Sequence, residues 1–239
     1  ILFWKAWKWP LWRVLVVMVP IMAAESMFLA ANMVKIPDGG YVPVLLALML
    51  GIMMWAWWRG TQIILAIIHK QSVDLHSFVK SMGRSSAHVI PGTAFFLTPD
   101  QDAVPSALLH NLKHNRVLHD QTVLLTVETM RVPYATAAER ASYESLGPHF
   151  ARVTLRFGFM ETPNVSRAMV FARKAGLRFD VMNTSFFLGR RRAVVTGPMG
   201  VGRLLDRVYA MMARFSADPS DFYYLPRDRV VELGERVAI

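Results

Sequence analysis

Two apolar runs, one close behind the other, limit what this chain can fold into. From Leu11 to Met33 only Arg13, Glu25, Ser26 and Asn32 carry polar side chains, and from Tyr41 to Trp58 there is no charge at all. Roughly 20 apolar residues cross the hydrocarbon core of a bilayer, whereas a buried core helix usually needs about 10–14. The first run meets the longer length outright. The second meets it with Trp57 and Trp58 at the interface or with the helix continued past Arg59. Lipid offers no water to unpaired backbone groups, so both runs are expected to be helices, with Pro20 tolerated as a kink in the first. Lys5, Lys8 and Arg13 resemble the basic start of a signal peptide. However, no Ala-x-Ala cleavage site precedes Asn32, and a second apolar run follows at once.

The turn between the runs, Lys35 to Gly40, is short, so the helices are antiparallel neighbours forming a transmembrane hairpin. Its charges, Lys35 and Asp38, cancel. The outer flanks carry Lys5, Lys8 and Arg13 on one side and Arg59, Lys70, Lys80 and Arg84 on the other. The positive-inside rule then places both flanks in the cytoplasm and the Gly39-Gly40 turn outside. Every one of the 7 tryptophans (Trp4, Trp7, Trp9, Trp12, Trp55, Trp57 and Trp58) falls at the cytoplasmic ends of the runs, where indoles favour the headgroup layer. Glu25 is the single acid inside a span. An intramembrane carboxyl is costly and marks a candidate proton or coupling residue, or else a hydrogen-bonded side chain facing another helix.

Composition closes several other routes. The absence of cysteine excludes a disulfide scaffold, a thiolate metal site, a cysteine nucleophile and redox control through this segment. The net charge of +10 coexists with 54% hydrophobic and only 18% charged residues. Apart from Arg190-Arg191-Arg192 the basic residues are scattered. They therefore read as a topology signal and as attraction to anionic lipid rather than as a nucleic-acid surface.

Residues 1–60 are expected to hold the two membrane helices, about 11–33 and 41–58. Residues 61–84 form an amphipathic connector, either the second span continued or an interfacial helix. Residues 85–239 form a cytoplasmic α/β domain with a mixed sheet, the boundary marked by Ser85, Ser86, Pro91 and Gly92. Thr93–Thr98 and Thr122–Thr129 read as strands, the latter covered on both faces. Ser106–Arg116 reads as a helix. Arg140–Leu146 and Phe150–Phe159 suggest a hairpin whose second arm alternates apolar and polar residues, as a half-buried antiparallel strand does. Thr162 and Pro163 resemble an N-cap and first helical residue, with Val165, Ala168, Met169 and Ala172 inward and Gly176 as a stop. Ser185–Leu188 and Ala193–Thr196 read as short strands. Arg203–Phe215 reads as a helix with Leu204, Val208, Met211, Met212 and Phe215 inward, and Arg229–Leu233 as a closing strand.

The motifs with chemical pretensions are weak. Gly197 to Leu204 approaches a phosphate loop, but Arg203 replaces the lysine and Leu204 the hydroxyl that would hold Mg²⁺. A turn, or anion binding at a helix start, is the better reading. His110 and His114 stand at the i, i+4 spacing of zinc metalloproteases. Asn111 occupies the place of the general base, Lys113 would repel a cation, and nothing supports His119 as a third ligand. Neither pattern makes an enzyme. Asn164-Val165-Ser166 and Asn183-Thr184-Ser185 match glycosylation sequons, which a cytoplasmic location makes irrelevant.

Several segments together resemble the Kup/HAK/KT potassium uptake permeases. They are Ala31–Ile36 with Gly39–Pro43, Val89–Ala94, His110–Asn115 with Val117–His119, and Leu125–Thr129. Gly158–Pro163, Thr184–Phe187 and Arg229–Gly234 continue the series. The resemblance implies twelve transmembrane helices with a cytoplasmic C-terminal domain, in the inner membrane of a cell, importing K⁺ by symport with H⁺. This chain would supply the last two spans and that domain. The family's ion-coordinating helices are not in this segment, so no K⁺ site is carried over to it and no cofactor is expected. Its family-signature positions in the cytoplasmic domain are His110, Asn111, Lys113, His114, Asn115, Glu128, Glu161, Pro163 and Glu232.

A hairpin is too small to line a permeation pathway, and the chain begins at Ile1, so it is expected to be the C-terminal part of a larger membrane protein. Its expected partners are membrane lipid, the preceding transmembrane helices and a second copy bound through the cytoplasmic domain. A nucleotide second messenger, as in related permeases, is a candidate regulator. The alternative is a membrane-anchored sensor or adaptor without transport activity.

Overall fold

The computed structural model describes residues 8–83, 88–196, 200–216 and 219–238. Lys5, Trp4 and Trp7, the boundary at Arg84–Ser86 and Gly197–Met199 of the glycine-rich turn lie outside the described residues, as do the side chains of Arg191 and Arg192. The chain forms two compact units, Ile1–Ala56 and Trp57–Ile239.

In the first unit, helix α1 (Leu11–Met33) runs through Pro20 and buries none of its residues. A core helix of a soluble domain would bury one face; α1 presents apolar side chains all round, the pattern of a helix solvated by hydrocarbon. Its 23 residues span about 35 Å at 1.5 Å per residue. The turn Ile36–Gly40 breaks the helix between α1 and the next, with Gly39 at φ +116°, a left-handed conformation that glycine adopts at no steric cost. The carbonyl of Lys35 accepts from the amides of Asp38 (3.2 Å) and Gly40 (3.0 Å). Helix α2 (Tyr41–Gln71) has 31 residues, about 46 Å. It therefore exceeds a hydrocarbon core of about 30 Å, and the expected connector begins as its uninterrupted extension. Both helices are long and apolar enough to cross a membrane.

In the second unit α2 ends at Gln71, and a short helix α3 (Leu75–Met82) follows, capped by Asp74, whose carboxylate accepts from the Ser77 amide at 2.8 Å. The order is then β1 (His88–Leu97), α4 (Ser106–Asn115), β2 (Val117–Met130), β3 (Ala141–Ser145) and β4 (Phe150–Gly158). It ends with α5 (Val165–Lys174), β5 (Thr184–Val194), α6 (Val201–Arg214), α7 (Pro219–Phe222) and β6 (Val230–Ala238). The strands make one mixed six-stranded sheet, ordered β3-β4-β2-β1-β5-β6. Only β3 is antiparallel to its neighbour.

Side chains alternate across the sheet, and each face has its own core. One core joins Phe95, Val123, Leu125, Val153, Leu155 and Phe186 to α5. The other joins Phe96, Leu124 and Phe187 to Leu75 of α3 and Leu108 of α4. Register couples the two: Phe95 lies opposite Phe186 and Phe96 opposite Phe187. The first pair stacks at 5.1 Å on one face and the second at 4.7 Å on the other. Such ring pairs add about 0.5–1.5 kcal/mol each beyond their burial.

The structure amends several expectations. Strand β4 is parallel to β2 as well as antiparallel to β3 and is buried on both faces, because it lies inside the sheet rather than at its edge. Helix α5 is capped by Asn164, whose side chain accepts from the Arg167 amide at 2.9 Å, so Thr162 and Pro163 precede the helix. Its inward set, Val165, Ala168, Met169 and Ala172, is as expected. The two short strands after it are one, carried from Phe186 to Val194 by parallel pairing with β6. Helix α6 is turned about its axis: Leu205, Asp206 and Tyr209 are buried, whereas Leu204, Met211 and Phe215 are exposed.

A carboxylate clamp closes the corner between β4 and α5. Glu161 accepts from Arg140 Nη1 at 3.2 Å, from the Gly158 amide at 2.6 Å and from the Ala135 amide at 3.3 Å. The Arg140 guanidinium also donates to the Ala135 carbonyl and lies over the Phe157 and Phe171 rings. Hydrogen bonding from Arg140, only partly opposed by burial, holds the Glu161 carboxyl below the usual glutamate range, with help from the two amides. A carboxyl depressed on folding stabilises fully above its unfolded value, and the gain is lost as pH falls through the folded value. Glu161→Gln should therefore cost about 1–3 kcal/mol at neutral pH. Denaturant unfolding followed across pH should show the gap from the parent narrowing in acid; a gap independent of pH would contradict the clamp.

Candidate functional site

The second unit contains the junction between a membrane helix and a folded domain. The segment of α2 from Trp57 to Gly60 packs on α6. Arg59 pairs with Asp206, whose residue is only 7% exposed. The Trp57 and Tyr209 rings lie 5.3 Å apart. A Cβ at Gly60 would overlap the Tyr209 ring, so close approach of the two helices requires glycine there. This accounts for the turn of α6. Its apolar arc is wider than one face, and the charge pair and the ring fix which part of it is covered. The sequence reading missed this seam. Its available signal was Asp206, the one acid on a basic and apolar helix, and Gly60 directly after Trp57-Trp58-Arg59.

The signature positions of the domain prove to be spread over the fold rather than gathered into one site. Asn111, 2% exposed, donates to the Val117 carbonyl at 3.2 Å and accepts from Asn115 at 2.8 Å. It thereby ties the last turn of α4 to the start of β2 across Arg116, which takes a left-handed conformation at φ 57°. His110 and His114 stack at 5.8 Å on the helix; His114 and Lys113 are exposed. No group of three or more metal-ligating side chains occurs among the described residues. Half-buried His119 packs edge-on to Phe187 at 5.6 Å, and burial lowers its imidazole below the usual histidine value. Glu128 binds Arg156 at 3.0 Å and Gln101. Glu232 binds Arg190 at 3.0 Å across β5 and β6. Glu161 anchors the clamp, and Pro163 leads from it to the Asn164 cap. Glu25 lies exposed in α1 of the first unit.

Two cavities could take a small molecule. The chain builds outward from β1 to β2 and β4, then returns to place β5 and β6 on the other side of β1. Open α/β sheets bind ligands at the carboxyl ends of strands where the order reverses in this way. A cavity of about 220 Å³ lies there, lined by Leu97, Thr98, Leu125, Leu188, Gly189 and Tyr223. Burial raises the Tyr223 phenol above its usual value, so it stays protonated at neutral pH. A larger cavity, about 300 Å³, is lined by Met169, Val170, Phe179, Phe186, Arg173 and Arg229. Arg173 lies over the Phe179 ring at 4.5 Å. Arg229 Nη1 is buried without a hydrogen-bond partner among the described residues. An aromatic wall with guanidinium donors suits a flat anionic ligand.

Comparison with known proteins covers both units. Residues 1–62 match the family described as the K⁺ potassium transporter integral membrane domain, and residues 91–239 match the K⁺ potassium transporter C-terminal domain. The chain is 48% identical over 236 residues to a probable potassium transport system protein Kup of Rhizobium rhizogenes, covering 98% of this chain and 37% of that protein. It is 47% identical to a Kup 1 protein of Sinorhizobium medicae, covering 98% of this chain and 38% of that protein. A Kup 2 protein of Rhodopseudomonas palustris is 41% identical over 239 residues, covering 100% of this chain and 38% of that protein. The chain thus spans little more than a third of the length of these curated relatives. No solved structure matches it.

Proposed function

The chain belongs to the K⁺ potassium transporter family, and on that premise we propose that it supplies the final transmembrane hairpin and a regulatory cytoplasmic domain to a K⁺ uptake permease. The observation that carries this reading is the ordered match of a membrane domain and then a C-terminal domain over the two units. A bare membrane anchor for a sensor would have no reason to retain the transporter's membrane sequence. The charge of the flanks supports an inner-membrane hairpin with its turn outside and its domain in the cytoplasm. K⁺ import is coupled to H⁺ in this proposal, with Glu25 as the residue of this segment able to carry a proton within the membrane.

The domain acts on transport by binding one state of the transporter better than the other, since only differential binding shifts a conformational equilibrium. The cavity beside Arg173 and Arg229 supports a nucleotide second messenger as its ligand: an aromatic wall for a base, guanidinium donors for phosphate. Exposed Val170, Val181 and Met182 around it support contact with a second copy.

The full-length protein in proteoliposomes tests the reading. An imposed proton gradient should drive K⁺ accumulation, and Glu25→Gln should lose that accumulation while retaining K⁺ exchange. No K⁺ flux under any gradient would refute transport, and unchanged accumulation in Glu25→Gln would refute its coupling role.

The regulatory part is tested separately, by light scattering and by adding cyclic dinucleotides to the same vesicles. A dimer mass, and a nucleotide-dependent flux that Arg229→Ala abolishes, are expected. A monomer, or flux indifferent to nucleotides, would overturn that part alone.

A further inference from the structure

The exposed stripe of α6 calls for a partner. Leu204, Met211 and Phe215 are 61%, 55% and 84% exposed, and with half-buried Val208 they follow one another at intervals of four, three and four residues. Side chains at such intervals share one face of a helix. Arg203, Arg207 and Arg214 make the adjacent stripe, with Arg207 and Arg214 exposed. The third face, Asp206 with Tyr209, is the one docked on α2.

The manner of docking sets the level of α6. On α2 the contact includes Trp57, Arg59 and Gly60. On α6 it extends from Gly202, which faces the Arg59 guanidinium, through Asp206 to Tyr209, about two turns. The part of α2 that α6 packs on is where the apolar run gives way to Trp57, Trp58 and Arg59, residue types that favour the headgroup layer.

We propose that α6 lies in the membrane interface, with Leu204, Val208, Met211 and Phe215 entering the acyl boundary and Arg207 and Arg214 pairing with anionic lipid headgroups. A helix with an apolar face, a neighbouring basic face and no acid outside its protein-facing side has the design of an interfacial helix. The arginine stems follow the apolar surface while their guanidinium groups reach the phosphates. Cations close to an anionic leaflet are attracted to its headgroups. The occupant is lipid rather than a second copy because the helix is docked, through its opposite side, where the apolar run of α2 ends, and because it carries cations beside its apolar stripe. The proposal rests on α2 being a span and does not depend on which ion the protein carries.

The segment has no cysteine, so Leu204→Cys, Met211→Cys and Phe215→Cys each give a labelling site here. In full-length protein otherwise free of cysteine, an environment-sensitive fluorophore is attached at each position. The protein is placed in vesicles of phosphatidylethanolamine, with or without phosphatidylglycerol. The expected result is a blue shift, quenching by lipid-borne nitroxide and loss of iodide quenching at all three sites, each stronger with phosphatidylglycerol. Met160→Cys, 64% exposed on the loop after β4, serves as a reference expected to remain open to iodide. Iodide quenching at 204, 211 and 215 would overturn the proposal by showing the stripe in water. Protection from both quenchers would overturn it by showing the stripe covered by protein. K⁺ flux in the same vesicles is read independently, so failure of this proposal is distinguishable from failure of the transport reading.

Discussion

Hydrocarbon tolerates no unpaired backbone amide, and the rest of the structure depends on that constraint. It makes both apolar runs helices, and it sets a length that α1 fits and α2 exceeds. The excess of α2 is the material from which the junction is built. At the end of its apolar run the helix presents Trp57, Arg59 and Gly60 to α6. A charge pair, a ring contact and a missing side chain together hold a domain helix against the end of a span. The apolar run therefore continues toward the domain as one helix rather than through a loose linker.

The domain beyond is held from two sides. Paired phenylalanines on β1 and β5 stack on both faces of the sheet, so the two cores share strands and register. The polar residues that mark the chain in sequence mostly secure corners. Asn111 fastens α4 to β2, Glu161 fastens the loop before α5, and Glu128 and Glu232 bridge neighbouring strands through Arg156 and Arg190. A conspicuous His-Asn-Leu-Lys-His sequence thus serves a left-handed helix exit, where a buried amide has more to offer than a metal ligand. The groups with unmet chemical capacity lie elsewhere, at Arg229 beside a cavity and on the outer stripe of α6.

The spans and the α/β class were legible because each depends on a local property, either a run of apolar residues or a period. The inward face of α5 was legible for the same reason: its four buried residues match one helical stripe. Helix α6 shows where that reasoning stops. Its apolar residues cover too wide an arc to define one inward face, and the choice was made by Arg59, distant in sequence. The parallel pairing of β4 with β2 and the continuity of β5 likewise depend on neighbours that no local pattern names. The cavity at Arg229 joins α5, the start of β5 and the approach to β6, three segments brought together only by the strand order.

The proposed topology turns on the orientation of the two membrane helices: the basic flanks and the domain lie in the cytoplasm only if the Gly39-Gly40 turn lies outside. Cysteine placed in the turn by Asp38→Cys, or in the domain by Met160→Cys, can be probed with a membrane-impermeant maleimide on intact cells. Labelling at 38 from outside, with labelling at 160 only after permeabilisation, is the predicted result. Labelling at 160 on intact cells, with 38 protected until lysis, would contradict it.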